Sequence, residues 1–166
     1  MIYERKVTAL EQKTNVMRIL DQKKIKYVEY TYVGTGAVSG VEVAHALGQN
    51  PDHVFKTLVT HSPKSKKYYV FMVPVAQELD LKKAAKAVGE KSIEMLKSKE
   101  LLPLTGYIHG GCSPIGMKKQ FVTTINKTAE NYDTIIFSGG KIGFQVEMAL
   151  ADLRRILPVK SADIVV

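Results

Sequence analysis

Apolar positions recur at helical spacing between residues 8 and 24, at Leu10, Met17 and Leu20 with Val16 beside them, and predict a helix. From Tyr27 to Tyr32 the pattern alternates and is rich in β-formers, which predicts a strand. The small residues from Gly34 to Gly40 read as a loop, and Val41 to Leu47 as a short helix stopped by Gly48. Val54 to Thr60 and Tyr68 to Val75 are rich in Val, Tyr and Phe and flank Ser62-Pro63-Lys64-Ser65-Lys66, so they predict two strands joined by a hairpin turn. Asp80 is placed to cap a helix from Leu81 to Val88, with Gly89 placed to end it. A short helix is expected near Lys97 to Leu101. Phe121 to Ile125, Thr134 to Phe137 and Phe144 to Met148 predict three more strands, and Leu150 to Leu157 a closing helix. Short strands joined by turns, with a few helices outside, predict an α+β fold around a mixed, largely antiparallel sheet rather than a βαβ repeat. With no linker, repeat or low-complexity tract in sight, residues 1–166 read as one domain.

Composition narrows the class. A chain of 166 residues with 45% apolar and 24% charged positions suits a globular domain with its own core. It holds no apolar run long enough to span a bilayer. The polar start (Tyr3, Glu4, Arg5, Lys6) lacks the apolar core of a signal peptide, so a cytoplasmic location is expected. The single cysteine, Cys112, excludes an intrachain disulfide and a Cys-rich metal cluster. The net charge of +8 raises the odds of a polyanionic partner. Its lysines fall in short clusters (Lys23–Lys24, Lys64–Lys67, Lys82–Lys83, Lys118–Lys119), which fits a basic face rather than a tail.

Three features can carry chemistry. The stretch Thr105-Gly106-Tyr107-Ile108-His109-Gly110-Gly111-Cys112-Ser113-Pro114-Ile115-Gly116 has a glycine pair at which a ligand can approach the backbone, and its N–H groups can stabilise an oxyanion. Its plainer reading is a tight turn, and turns of this kind vastly outnumber oxyanion loops. A second pair, in Ser138-Gly139-Gly140-Lys141-Ile142-Gly143, lies between two strands and reads as a hairpin turn; its spacing to Lys141 excludes a Walker-type phosphate loop. Lys56 sits inside the strand Val54-Phe55-Lys56-Thr57-Leu58-Val59 and shares a face with Val54 and Leu58. It either snorkels out at a sheet edge or offers a fixed cation inside a pocket, and the pattern weights these equally. His45, His53, His61 and His109 show no metal-ligand spacing, and neither a metal nor a cofactor is expected. Cys112 lacks a nearby histidine–acid arrangement and reads as a packing residue, while Ser113 lacks a G-x-S-x-G context. No protein nucleophile stands out.

Several segments, taken in order, resemble the YbaK/EbsC family of aminoacyl-tRNA deacylases: Phe55-Lys56-Thr57-Leu58, Leu79-Asp80-Leu81-Lys82-Lys83-Ala84-Ala85-Lys86, Thr105-Gly106-Tyr107, Gly110-Gly111-Cys112-Ser113-Pro114-Ile115-Gly116 and Ser138-Gly139-Gly140-Lys141. The likeness runs from about Thr14 to Val166 and is greatest to the YbaK branch. It implies a twisted mixed sheet, partly closed like a barrel, with helices around it. It also implies hydrolytic clearance of Cys-tRNA(Pro) and Cys-tRNA(Cys), with the substrate's own thiol attacking the ester. The partners implied are the acceptor end of aminoacyl-tRNA and prolyl-tRNA synthetase in a ternary complex. On this resemblance Lys56 matches the signature lysine of the pocket, and Gly110 and Gly111 the pair lining the reacting carbonyl. Ser138 with Gly139 matches the rim, Tyr32 the pocket wall, and Ser113 and Gln145 further substrate contacts. Ser39 stands where many members carry an aromatic residue, and Gln145 where some carry aspartate. Two alternatives stay open: an Ala-tRNA(Pro) deacylase of the same fold using water, and a non-catalytic module that binds tRNA or the synthetase.

Overall fold

The computed structural model describes residues 13–166. The helix expected over 8–24 is α1, Asn15–Gln22, capped by Thr14, whose Oγ1 accepts from Met17 N at 3.2 Å; Leu10 lies outside the described residues. The chain continues through β1 (Val28–Thr31), α2 (Gly40–Ala46), β2 (Phe55–His61), β3 (Tyr68–Pro74) and α3 (Leu81–Val88). Next come β4 (Glu94–Met95), α4 (Ser98–Thr105), β5 (Val122–Asn126), β6 (Thr134–Ser138), β7 (Phe144–Ala149), α5 (Leu150–Ile156) and β8 (Val159–Ala162). Asp80 caps α3 by accepting from Lys82 N and Lys83 N, both at 3.0 Å, and Gly89 closes it at φ +72°.

The strands form two sheets. One is antiparallel, in the order β1-β7-β6; the other is mixed, in the order β4-β2-β3-β5-β8, with β3-β5 and β5-β8 parallel. A parallel bridge between Val54 and Ile136 joins them, so β2 runs beside β6. The mixed, largely antiparallel α+β architecture agrees with the sequence reading. The sequence reading did not include β4 and β8, and α4 runs past the expected Leu101 to Thr105, with Pro103 inside it.

Side-chain alternation sorts β2 and β3 between cores. Phe55, Val59, Val70 and Met72 enter the main core with α1 and α5, through Val16, Met17, Leu20 and Leu153. Phe71 and Val73 face the other way, against Ala84 and Ala85 of α3 and the C-terminal Ile164, with Leu58 packed beside them. A third cluster sits where the two sheets meet. There α2 lays Val43, Ala44 and Leu47 on Tyr30, Val54, Val75 and Ile136, with Tyr32 packed against them. Ser39 serves this helix: its side chain accepts from Glu42 N while Glu42 Oε1 accepts from Ser39 N, a reciprocal capping box. Among the described residues no helix is long and apolar enough to cross a membrane.

Candidate active site

Strand register assembles most of the expected site. Val54 and Ile136 are bridged in parallel, and two residues further along each strand stand Lys56 and Ser138. Equal steps of two keep both on the face of the third cluster. Ser138 is the direct partner of Gln145 across β6–β7, and Gln145 of Tyr30 across β7–β1. Lys56, Ser138, Gln145 and Tyr30 therefore form one row across four strands, and Tyr32 shares the face of Tyr30. The row is covered on one side by α2.

Lys56 resolves the choice left by its pattern in a mixed way. Its stem lies on an apolar face, its side chain is 29% exposed, and Nζ reaches Glu78 Oε1 at 3.3 Å. Glu78 is itself largely exposed, so this pair is weak and a stronger anion can displace it. Ser138 Oγ accepts from Gly140 N at 3.1 Å, which leaves its own hydrogen free to donate. Gln145, 5% exposed, accepts at Oε1 from Gln49 Nε2 at 2.8 Å.

The two glycine loops meet at the end of this row. The second is the hairpin loop between β6 and β7, closed by Gly139 N donating to Phe144 O at 2.9 Å. Its Gly143 carbonyl accepts from both Tyr32 N and Thr31 Oγ1, at 2.9 Å each, which ties the loop to β1. The first loop packs on it so tightly that a Cβ on Gly111 would lie 3.1 Å from Ile142 N. Tyr107 is the post between them: its hydroxyl donates to Ile115 O, and its ring underlies Gly140. A cavity of about 250 Å³ lies between the loops, lined by Tyr107, Ile108, Gly111, Gly140 and Ile142 among others. Gly140 has φ +88°, and a Cβ there would approach Val16 Cγ2 to 2.7 Å. Gly140→Ala is expected to lower stability by about 1–3 kcal/mol, read from urea unfolding, because both the backbone conformation and the space exclude a methyl group.

Two expected roles change. Ser113 is 0% exposed and its Oγ accepts from Ile115 N at 3.3 Å, so in this structure it shapes its own loop. Gly111 N donates to Ile108 O at 3.0 Å, so its hydrogen is spent in the turn; within the pair, Gly110 N has no acceptor among the described residues. Sequence reasoning missed Gln49, which lies in the irregular segment after α2 and has no motif around it. Cys112 is buried, and desolvation pushes its thiol up to about 12, so it is un-ionised near neutrality. Among the described residues no three His, Cys, Asp or Glu side chains gather as a metal site. The arrangement offers a cation, a hydroxyl, an amide and a backbone donor: groups that bind and polarise an ester without attacking it.

Known proteins are similar to this chain in sequence and fold. A family model described as the aminoacyl-tRNA editing domain matches residues 35–156. A candidate Cys-tRNA(Pro)/Cys-tRNA(Cys) deacylase, EbsC of Enterococcus faecalis, is 50% identical over 140 residues, covering 84% of this chain and 85% of that protein. The crystal structure of a candidate trans-editing enzyme for prolyl-tRNA synthetase superposes with a TM-score of 0.77 over 97% of this chain and 99% of its own, at 22% identity. A hypothetical protein of 18% identity shares the fold with a TM-score of 0.81 over 91% of this chain and 99% of its own. With the family model matched over most of its length and half of its aligned residues shared with EbsC, the chain belongs to the aminoacyl-tRNA editing domain family.

Proposed function

We propose that this protein, one deacylase domain over residues 1–166, clears mischarged aminoacyl-tRNA in trans in the cytoplasm, with Cys-tRNA(Pro) and Cys-tRNA(Cys) as substrates. The observation that carries the reading is the likeness to EbsC, 50% identical across most of both chains. The site's chemistry supports it. Lys56 holds the anionic acceptor end or the ester, Gly110 offers its N–H to the developing oxyanion, and Ser138, Gly139, Gln145 and Tyr32 bound the aminoacyl group. The substrate supplies the nucleophile. Its thiol sulfur bonds to the ester carbonyl carbon, and the carbon–oxygen bond to the ribose breaks. The ribose oxygen takes up the proton the thiol has lost, and the amino acid leaves as a cyclic thiolactone. Holding thiol and carbonyl in near-attack geometry is then the main catalytic contribution.

Selection of tRNA(Pro) is proposed to come from prolyl-tRNA synthetase in a ternary complex, with the scattered lysines adding weak, salt-sensitive tRNA affinity. A deacylation panel of Cys-, Ala- and Ser-tRNA(Pro), with and without the synthetase, tests the reading. Preferential loss of cysteine is expected. Preferential loss of alanine gives the Ala-tRNA(Pro) alternative, and no turnover of any substrate gives the binding module. In the same assay Cys112→Ser is expected to stay within about threefold of the unaltered protein, since a buried, un-ionised thiol takes no part.

A further inference from the structure

One buried polar atom at the site is unaccounted for. Gln49 Oε1 is buried and has no hydrogen-bond partner among the described residues, although Gln49 Nε2 donates to Gln145 Oε1 at 2.8 Å. A buried acceptor left empty costs roughly 1–3 kcal/mol, and native structures rarely leave one without a reason. The side chain is not loose. Gln49 N donates to Ala44 O at 2.8 Å and Gly48 N to His45 O at 3.2 Å, closing α2 around Gly48 at φ +66°. On its other side Asn50 Oδ1 accepts from Asp52 N at 2.9 Å. The backbone thus aims Gln49 at Gln145, in the row that holds Ser138 and Lys56.

The two amides share a single bond. Turning both over exchanges donor and acceptor but still leaves one carbonyl oxygen unfilled. The pair therefore carries an unfilled acceptor in either orientation, enclosed in the observed one, and the ligand group that would fill it once the amide turns is a hydrogen-bond donor. On the acyl side of the reacting carbonyl, the strong donor that an aminoacyl ester carries is the α-amino group. Lys56 and Gln145 lie two strand spacings apart, about 10 Å, enough to hold a phosphate at one end of a nucleotide and the amino group of its ester at the other.

We propose that Gln49 is a specificity-determining residue, and that the Gln49–Gln145 amide pair binds the substrate's α-amino group through its unfilled carbonyl oxygen. This rests on the deacylase reading given above. The pair is neutral, and its carbonyl oxygen accepts from the amino group in either its neutral or its protonated form.

The test compares cysteinyl-tRNA(Pro) with its des-amino counterpart, 3-mercaptopropionyl-tRNA(Pro), which keeps the thiol, carbonyl and ester. The unaltered protein is expected to favour the cysteinyl ester about 10-fold in kcat/KM, mostly through KM, as one hydrogen bond implies. Gln49→Met, close in length but without the amide, is expected to bring that ratio near unity. Loss of packing alone would slow both substrates equally and leave the ratio in place, so an unchanged ratio overturns the proposal. Gln49→Glu keeps acceptor oxygens and length and is expected to hold the ratio at or above the unaltered value. A collapsed ratio there also overturns the proposal, and this variant decides the matter if Gln49→Met does not fold. If the unaltered protein cleaves neither ester, the deacylase reading itself falls, a result plainly different from cleavage without preference.

Discussion

Replacing Lys56 with alanine is expected to slow deacylation of Cys-tRNA(Pro) by at least about 100-fold, the cost of losing the cation that positions the acceptor end and its ester for reaction. Single-turnover assays would measure it. The protein itself should barely register the change. The partner of Lys56 is Glu78, an exposed carboxylate, and an ion pair of that kind contributes little to folding. The midpoint of thermal unfolding is therefore expected to stay within about 2–4 °C, the shift that 1 kcal/mol produces in a chain of this size. A folded, inactive variant places the lysine in catalysis, while activity within threefold of the unaltered protein removes it. Lys56→Arg is expected to recover only part of the rate, because a planar guanidinium does not place its charge where a compact ammonium does.

The second large effect lies in the substrate. Ser-tRNA(Pro) is expected to react roughly 1,000-fold more slowly than Cys-tRNA(Pro), because an alcohol needs a general base to become a nucleophile. No group in the row of Lys56, Ser138 and Gln145 is placed as that base. A thiol ionises with a pKa near 8.5, so it supplies its own thiolate. The pH profile should carry the same signature. Raising the pH creates thiolate, so the rate should climb about tenfold per unit below the substrate thiol's pKa and level off above it. The protein's own thiol, pushed up to about 12, does not titrate in that window. Equal rates for serine and cysteine would point to an activated water instead.

The elements that the sequence announced are those with strong local signals. β2 and β3 carry dense runs of β-branched and aromatic residues, and α3 carries both its cap and its stop. β8 went unread because Val159-Lys160-Ser161-Ala162 has no two-residue alternation; it exists because it pairs in parallel with β5. α4 went only half read because Pro103 looks like a terminus and is not one. The site was legible as residues but not as an arrangement. The sequence pattern contained Lys56, Ser138 and Gln145, whereas their alignment in one row depends on the long-range bridge between Val54 and Ile136. The glycine pair was overread as two free donors, since a hydrogen bond closing a turn within the same loop leaves no trace in a motif. Ser39, a departure at a position of amino-acid selection, proved to be a helix cap.

The burial of Cys112 has a bearing on the enzyme's working life. A thiolactone is an activated thioester, and its natural target is a thiolate, which it converts to an S-acyl adduct. A protein that released such a product beside an ionised cysteine of its own would acylate itself, turnover after turnover. Here the sole cysteine of the chain is packed away from solvent and held in its un-ionised form. On the proposed mechanism the catalyst thereby keeps its one thiol out of reach of the electrophile it would release, and S-acylation of the protein is avoided.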